Sequence, residues 1–384
     1  MKQVCSRCLY DTSIPNITFD EQGVCSYCHM HDSLLTTYPG GEQGRTILQS
    51  IAERIKESGR GKEFDCVVGV SGGCDSSYLL YVAKELMGLR PLAVHFDNTW
   101  NTELSTRNMH NMVEKLNVPL EIYAVDPDEY DDLYMSFFKA GVPDIETPTD
   151  IALAAVLNKV ADKHGIKYIL EGHNFRTEGI SPLGWIYMDN RYIESVHAKF
   201  GTRPLVTFPG MPLHLQLYWM MRRIRKIRPL WYMDYNKEDI KKFLADTFGW
   251  QWYGGHHLEN KFTAFYHSYF MPHRYGIDTR LLGLSAMVRS GKITREQGLK
   301  ELEKPFYLED GLLDYLTRRL KFKDGDLDYY MNLPHKTYRD FPTYKKVFEY
   351  MRPFFWLMAK MDMIPYSFYL KYTRPDPPAA DTAQ

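Results

Sequence analysis

The run Val67-Val68-Gly69-Val70-Ser71-Gly72-Gly73-Cys74-Asp75-Ser76-Ser77 carries the densest chemistry in the chain. Gly72 and Gly73 permit a backbone that turns tightly and comes close to a ligand. Ser71, Ser76 and Ser77 add hydroxyl donors. An apolar run enters the turn, and Tyr78-Leu79-Leu80-Tyr81-Val82-Ala83 leaves it, which reads as buried strand, loop and helix. The free N–H groups at that helix start favour an anion, so the loop suits phosphate. The Gly-Lys-Ser/Thr ending of a Walker A loop is absent. Without a cation of its own, such a loop needs Mg²⁺ beside a polyphosphate, and Asp75 is the carboxylate positioned for it. Asp75 also suits a helix N-cap.

A second chemical signature opens the chain. Cys5-x2-Cys8 and Cys25-x2-Cys28, separated by 16 residues, predict four thiolates around a tetrahedral, structural Zn²⁺. His29 and His31 are substitute ligands whose spacing fits less well. A module this short has little core, so the metal would supply much of its folding free energy. Cys66 and Cys74 remain. Cys74 lacks a sequence-adjacent base and reads as a small residue of the loop, not a nucleophile.

Three further segments are polar enough to matter. Gly172-His173-Asn174-Phe175-Arg176-Thr177-Glu178 follows an apolar run. There Gly172 allows close approach, His173 could touch phosphate or the activated oxygen, and Glu178 could be a second magnesium ligand. Gly254-Gly255-His256-His257-Leu258-Glu259-Asn260 offers His257 and Glu259 for catalysis or substrate binding, or else a capped helix start. Its spacing is not that of His-Glu-x-x-His. Arg222 to Arg228 is the one basic run and reads as a helix with Arg222, Arg225 and Lys226 on one face. Such a face is solvated or contacts a sugar diphosphate, RNA or a membrane.

These groups need elements to position them. Strands are predicted at 64–70, 91–97, 120–125 and 167–171, alternating with helices at 76–87, 105–116 and 150–164, after a first helix at 46–58. That alternation implies a doubly wound parallel α/β sheet. Ligands then bind at the carboxyl ends of the strands, where the loop at 71–77, Asp97 and Gly172-His173 would share one crevice. Asp97 sits where a ribose or adenine contact would lie, or serves a plain turn. The expected organisation is a four-cysteine zinc module over 1–40, an ATP-binding α/β domain over 41–204, a mainly helical substrate or partner region over 205–370, and a disordered tail over 371–384. A net charge of −1 gives no global case for nucleic acid. The start lacks a signal-peptide core and no apolar run is long enough to span a bilayer, so a cytoplasmic protein is expected.

The loop resembles the Ser-Gly-Gly-x-Asp-Ser element of the ATP pyrophosphatases, which split ATP between the α and β phosphates. Gly172-His173 is similar to the Gly-His-x-x-Asp-Asp element of related tRNA-modifying enzymes, with Asn174 and Glu178 departing from it. Cys5-Ser6-Arg7-Cys8, Asp20 to Cys28, Ser71 to Ser77, Gly172-His173-Asn174 and His256 to Thr263 together resemble the N-acetyl sugar amidotransferases of bacterial surface-polysaccharide and flagellar-glycan synthesis. Tyr275 to Arg280 and Ser290 to Arg295 extend the likeness. The resemblance implies adenylation of an acetamido oxygen by ATP with Mg²⁺, then displacement of AMP by ammonia to give an acetamidino sugar. It implies catalysis by Asp75, His173, Glu178, His257 and Glu259. ATP would be bound by Ser71, Gly72, Gly73, Asp75, Ser76, Ser77, Asp97, Gly172 and His173. Ammonia would come from a separate glutaminase and synthase pair like those of histidine biosynthesis. The alternative is a tRNA-thiolating or tRNA-amidating enzyme using the same adenylate.

Overall fold

The computed structural model describes residues 2–375 except 183, 256, 257, 362 and 365. Five parallel strands form one sheet: β1 (Cys66–Gly69), β2 (Pro91–Asp97), β3 (Leu120–Ala124), β4 (Tyr168–Leu170) and β5 (Arg225–Ile227). Their order is β3-β2-β1-β4-β5. Val67 of β1 registers with Leu92 of β2 on one side and Ile169 of β4 on the other. Val67 and Val68 are fully buried, as the apolar run of a strand covered on both faces requires. The chain winds outward from β1 through β2 to β3, then crosses back to β4. The crevice between the carboxyl ends of β1 and β4 is therefore the topological switch point.

Helices cover both faces, giving the doubly wound architecture. On one face, helices Gly41–Ser58, Cys74–Tyr81, Glu103–Lys115 and Lys237–Phe248 enclose a core that includes Ile51, Leu79, Met109 and Leu244. On the other, Pro127–Ala140 and Thr147–Lys163 share a larger core with the C-terminal helices, from Phe262 through Leu316 to Phe348. The helix at 127–140, between β3 and the helix expected from 150, follows local rules. Asp126 caps it by accepting from the Glu129 N–H at 2.9 Å, Pro127 opens it, and Gly141 closes it at φ +72°.

The basic run corrects the helical expectation. Helix Leu213–Met221 ends before it, Arg223 turns at φ +56°, and Arg225–Ile227 pairs with β4 as the fifth strand. Ile224 and Ile227 have helical spacing, but the backbone partner offered by β4 decides the outcome. The charged side chains suit an edge strand. The sheet thus extends beyond the expected domain limit at 204, and β5 and helix Lys237–Phe248 complete the α/β layers. Two smaller differences follow the same logic. The helix expected from 46 starts at Gly41, and the last helix, Tyr366–Thr373, runs into the expected tail. Residues 376–384 of that tail lie outside the described residues.

The phosphate loop is fixed by a backbone contact as well as by its own turn. Gly72 has φ +78°, and a Cβ there would lie 1.9 Å from the Ser105 carbonyl oxygen. Replacing it with alanine costs both left-handed strain, about 1–2 kcal/mol, and a displaced helix. Gly291 shares the positive φ, +66°, but a Cβ there meets nothing within 4 Å. Gly72→Ala should therefore lower the urea midpoint clearly more than Gly291→Ala. Equal losses would show that the Ser105 contact does not hold the loop.

Candidate active site and thiolate cluster

The loop after β1 meets the loop after β4 as the switch point demands. A Cβ on Gly172 would lie 3.3 Å from the Asp75 carbonyl carbon, so only glycine lets the two loops touch without displacement. Gly73 is the N-cap of helix Cys74–Tyr81 and supplies no side chain to that helix start. Ser76 Oγ is held by the Ser71 N–H at 3.2 Å and by Ser71 Oγ at 3.1 Å. The serines thus shape the loop. Ser77 is buried beneath it.

Asp75 is the electrostatic centre. Tyr235 donates its hydroxyl hydrogen to Asp75 Oδ1, and Lys237 Nζ reaches Oδ2 at 3.0 Å. Burial opposes its charge, but the Lys237 charge and the Tyr235 hydrogen bond outweigh that and hold its pKa below the usual carboxylate value. Glu178 lies against Asp75. Burial, then the Asp75 charge, pushes its pKa well above the ordinary value. Glu178 therefore keeps a proton that Asp75 has lost, and its Oε2 accepts the Asn174 N–H at 3.0 Å.

His173 follows β4. Burial foremost, then the Arg228 charge, lowers its pKa to about 4, so the ring is neutral near pH 7. Its Nε2 lies 3.0 Å from the Gly179 carbonyl oxygen, which assigns the hydrogen to Nε2. Nδ1 is then an acceptor, and it has no hydrogen-bond partner. At the end of β4, Glu171 binds Lys226 at 2.7 Å and Arg228 at 3.0 Å. Burial is outweighed by those two cations, and the Glu171 pKa falls to about 2. The basic run thus brings cations to the crevice, with Glu171 between them. Asp97 serves its turn, accepting from the Thr99 N–H at 2.8 Å and from Asn101 Nδ2 at 3.1 Å.

The expected second polar segment arrives from the C-terminal region. Glu259 comes within 3.3 Å of where a Gly73 Cβ would stand, and its Oε2 is buried without a hydrogen-bond partner. The Glu259 carbonyl accepts from Ser105 Oγ at 2.9 Å and from the Thr102 N–H at 3.0 Å. Asn260 caps the next helix through the Phe262 and Thr263 N–H groups. His256 and His257 lie outside the described residues.

Several site residues escaped sequence reasoning. Lys237 opens helix Lys237–Phe248 behind the Asn236 cap, and no local pattern ties it to Asp75, 162 residues away. Trp250 donates its indole N–H to the Gly72 carbonyl at 2.9 Å. Glu146 sits at the start of helix Thr147–Lys163 and accepts from Thr263 Oγ1 at 2.7 Å, with Oε2 unpartnered. Burial foremost pushes its pKa up to about 8, with Asp150 and Glu259 adding repulsion. Asp144 and Asp150 are raised, again mainly by burial, to about 7 and about 6. Cys74 is buried, and its thiol is pushed up to about 12 by burial and by Asp75, which suits a spacer and not a nucleophile.

At the N-terminus, Cys5, Cys8, Cys25 and Cys28 converge, with all four sulfurs within 4.8 Å of one another. Three sulfur pairs are 3.8, 3.6 and 3.6 Å apart. A tetrahedron of ~2.3 Å Zn–S bonds has edges of about 3.8 Å, so the donor set fits zinc. The two histidines are engaged elsewhere: His29 with Asp20 at 2.7 Å and His31 with Ser290 at 3.1 Å. Arg289 donates to Cys8 Sγ at 3.1 Å, and Arg295 to the Cys8 carbonyl at 3.2 Å. Both come from the C-terminal region, so the module is bonded to it.

The fold and crevice define a pyrophosphate-loop α/β protein. Comparison with known proteins divides the chain the same way: residues 45–145 match the family described as NAD synthase, and residues 259–354 match the family described as LPS biosynthesis protein WbpG-like, C-terminal domain. The first match covers the phosphate loop and the second the C-terminal helices that meet it, in agreement with the resemblance read from the motifs. It is 25% identical over 304 residues to the uncharacterized protein MJ1599 of Methanocaldococcus jannaschii, spanning 78% of this chain and 93% of that one. NMN synthetase from Francisella tularensis is similar at 13% identity and a TM-score of 0.33, covering 76% of this chain and 98% of that chain. NH3-dependent NAD synthetase from Campylobacter jejuni is similar at 12% identity and a TM-score of 0.30, with the same two coverages.

Two measurements test the electrostatics and the metal. A Glu whose folded pKa is raised to about 8 keeps its proton while the unfolded chain loses it, so stability falls as pH rises from about 4.5 towards 8. Glu146→Gln removes that contribution. The melting temperature of the variant, relative to the parent, should rise between pH 5 and pH 8; parallel curves would show that Glu146 is not held protonated. Metal analysis of purified chain should give about one zinc per chain, and Cys8→Ser should lose it. A folded chain with no bound zinc would overturn the thiolate assignment.

Proposed function

We propose that the chain is an ATP-dependent, AMP-forming amidotransferase. It would convert the acetamido group of an N-acetylated, nucleotide-linked sugar to an acetamidino group in bacterial O-antigen, lipopolysaccharide or flagellar-glycan synthesis. The observation that carries this reading is the meeting of Glu259, from the WbpG-like domain, with Gly73 of the phosphate loop. An acceptor held by the C-terminal domain then faces the nucleotide held by the loop.

The chemistry follows from the residues. An amide oxygen is a poor leaving group. Attack of that oxygen on the α-phosphate of ATP expels pyrophosphate and turns it into a good one, an O-adenylyl imidate. Ammonia adds to the imidate carbon, AMP leaves with the former amide oxygen, and the product nitrogen replaces it. The backbone and hydroxyls of Ser71, Gly72, Gly73, Ser76 and Ser77 would cradle the phosphates, and Gly172 lets the loops close on them. Mg²⁺ would supply charge neutralisation for the departing pyrophosphate. Asp75 and Glu178 fit as its ligands, because two carboxylates forced together in a buried site favour a shared cation. Lys237 supplies the cation that the loop lacks. The acceptor nitrogen of His173 suits an N–H of the incoming ammonia, and the unpartnered oxygens of Glu259 and Glu146 suit sugar hydroxyls. His257 and Asp97 remain candidates for substrate and adenosine contacts. The intermediate would hydrolyse in water, so a deep crevice is a requirement of the chemistry. The ammonia would come from a separate glutaminase and synthase pair, and the reaction would run in the cytoplasm. No described helix is long and apolar enough to cross a membrane.

The tRNA-modifying alternative rested on the basic run, in which Lys226 and Arg228 are engaged by Glu171 and Arg222 by Asp162 at 3.1 Å. The buried Cys74, already unsuited to a nucleophile, does not favour thiol transfer.

The test is purified chain with Mg-ATP, ammonium and N-acetylated nucleotide sugars. The expected products are AMP, pyrophosphate and a sugar lighter by about one mass unit, since NH replaces O. Glu259→Gln should reduce sugar-dependent AMP release by about 10²-fold or more. Release of ADP, or AMP release that needs tRNA and ignores sugars, would overturn the reading.

A further inference from the structure

Helix Arg352–Lys360 turns two very different faces. Phe355 and Met358 point inward, with Phe355 packed against Phe348 and Phe368 at ring separations of 5.5 Å each. The outer arc leaves Leu357 47%, Met361 54%, Trp356 46% and Phe354 37% exposed, and the adjoining Tyr350 89% exposed. At 100° per residue, Phe354, Leu357 and Met361 fall together, while Arg352, Trp356 and Lys360 form the border of the same arc. Lys360 sits 5.9 Å over the Trp356 ring.

Cations outnumber acids in the sequence around this apolar strip. Between residues 345 and 362 there are four cations, Lys345, Lys346, Arg352 and Lys360, and two acids, Glu349 and Asp362. Glu349 is bound to Lys345 at 3.3 Å. Lys346, Arg352 and Lys360 are exposed. Helix Tyr366–Thr373, which packs beside the first, contains no acid. Scattered exposed apolar residues are ordinary, but a contiguous aromatic strip edged by cations marks an interaction surface.

We propose that this face docks the chain on the surface of an anionic lipid bilayer. The strip has the composition of an interfacial helix: Trp, Phe, Leu and Met for the acyl boundary, Lys and Arg for the headgroups. The surrounding cations complement phosphate-bearing lipid and disfavour a second copy of this face, which would carry the same charge. The helix is too short to span, so the contact is peripheral and reversible.

Vesicle sedimentation of the full chain tests this. It should sediment with phosphatidylcholine–phosphatidylglycerol vesicles at low salt, far less with phosphatidylcholine alone, and be released as salt rises. Trp356→Glu with Leu357→Glu should weaken binding by about tenfold or more, with circular dichroism and melting temperature unchanged. If that pair fails to fold, Lys360→Glu and Lys346→Glu, which leave the apolar packing in place, should each weaken binding at least about fivefold. No association with the anionic vesicles would overturn the proposal. Association that none of these substitutions alters would do the same. So would a solution dimer that Trp356→Glu with Leu357→Glu dissociates, since a second copy would then own the face.

Discussion

A buried carboxylate must find a cation, and here that requirement joins distant parts of the chain. Asp75 stands at the start of a helix whose dipole favours it, yet desolvation there opposes its charge. The compensating charge is Lys237, 162 residues away in sequence. Both side chains are mostly shielded, Lys237 at 19% and Asp75 at 15% exposure, and stripping one partner from such a pair typically costs about 3–5 kcal/mol. The ion pair therefore does more than stabilise. It fixes helix Lys237–Phe248 against the phosphate loop, and with it Tyr235, which binds the same carboxylate. Glu178 closes the arrangement from the β4 side by remaining protonated. One net negative charge, one cation and a neutral acid can sit together in a space where two carboxylates could not.

The same constraint of burial explains the attachment of the C-terminal helices. They do not form a separate core: Phe262 stacks on Tyr134 at 3.5 Å, and Phe262 and Phe265 pack with Phe138. Aromatic pairs of this kind add about 0.5–1.5 kcal/mol beyond area burial, and the cluster is continuous across the two regions. Glu259 thus reaches the phosphate loop from a scaffold that cannot move independently without opening that core. The thiolate module braces the opposite side through Arg289 and Arg295. The clustered thiolates would carry excess negative charge around a zinc ion, and the Arg289 guanidinium beside Cys8 offsets it.

What the sequence disclosed and what it withheld divide along a physical line. Strands β1 to β4, the phosphate loop, the thiolate quartet and the crevice at Gly172 were legible because each is specified by local pattern: apolar runs, glycine spacing, Cys-x2-Cys. β5 was not, because Arg225-Lys226-Ile227 becomes a strand only when β4 offers it a backbone partner. Lys237 and Tyr235 were not, because nothing local links them to Asp75. Glu146 was not, because its burial depends on Thr263, 117 residues away in sequence. The neutral state of His173 and the retained proton of Glu178 are properties of burial, which no linear reading of charge can supply.

The pattern of unpartnered polar atoms carries the last step. Buried polar groups are nearly always hydrogen-bonded, because leaving one bare costs about 1–3 kcal/mol. Yet His173 Nδ1, Glu146 Oε2 and Glu259 Oε2 have no hydrogen-bond partner. Two of these groups stand beside the phosphate loops, and the third, Glu146, feels the charge of Glu259. Of these, His173 Nδ1 and Glu259 Oε2 are bare acceptors, whereas the protonated Glu146, whose Oε1 accepts from Thr263, presents a bare hydroxyl at Oε2. On the proposed function, a ligand bearing hydroxyl or N–H groups would satisfy them. A sugar brings hydroxyls and ammonia brings N–H groups, whereas a polyphosphate brings acceptors alone. On the proposed function these groups would complement the phosphate loop: one part of the crevice would offer donors to phosphate, the other partners to a hydroxylated or amino ligand.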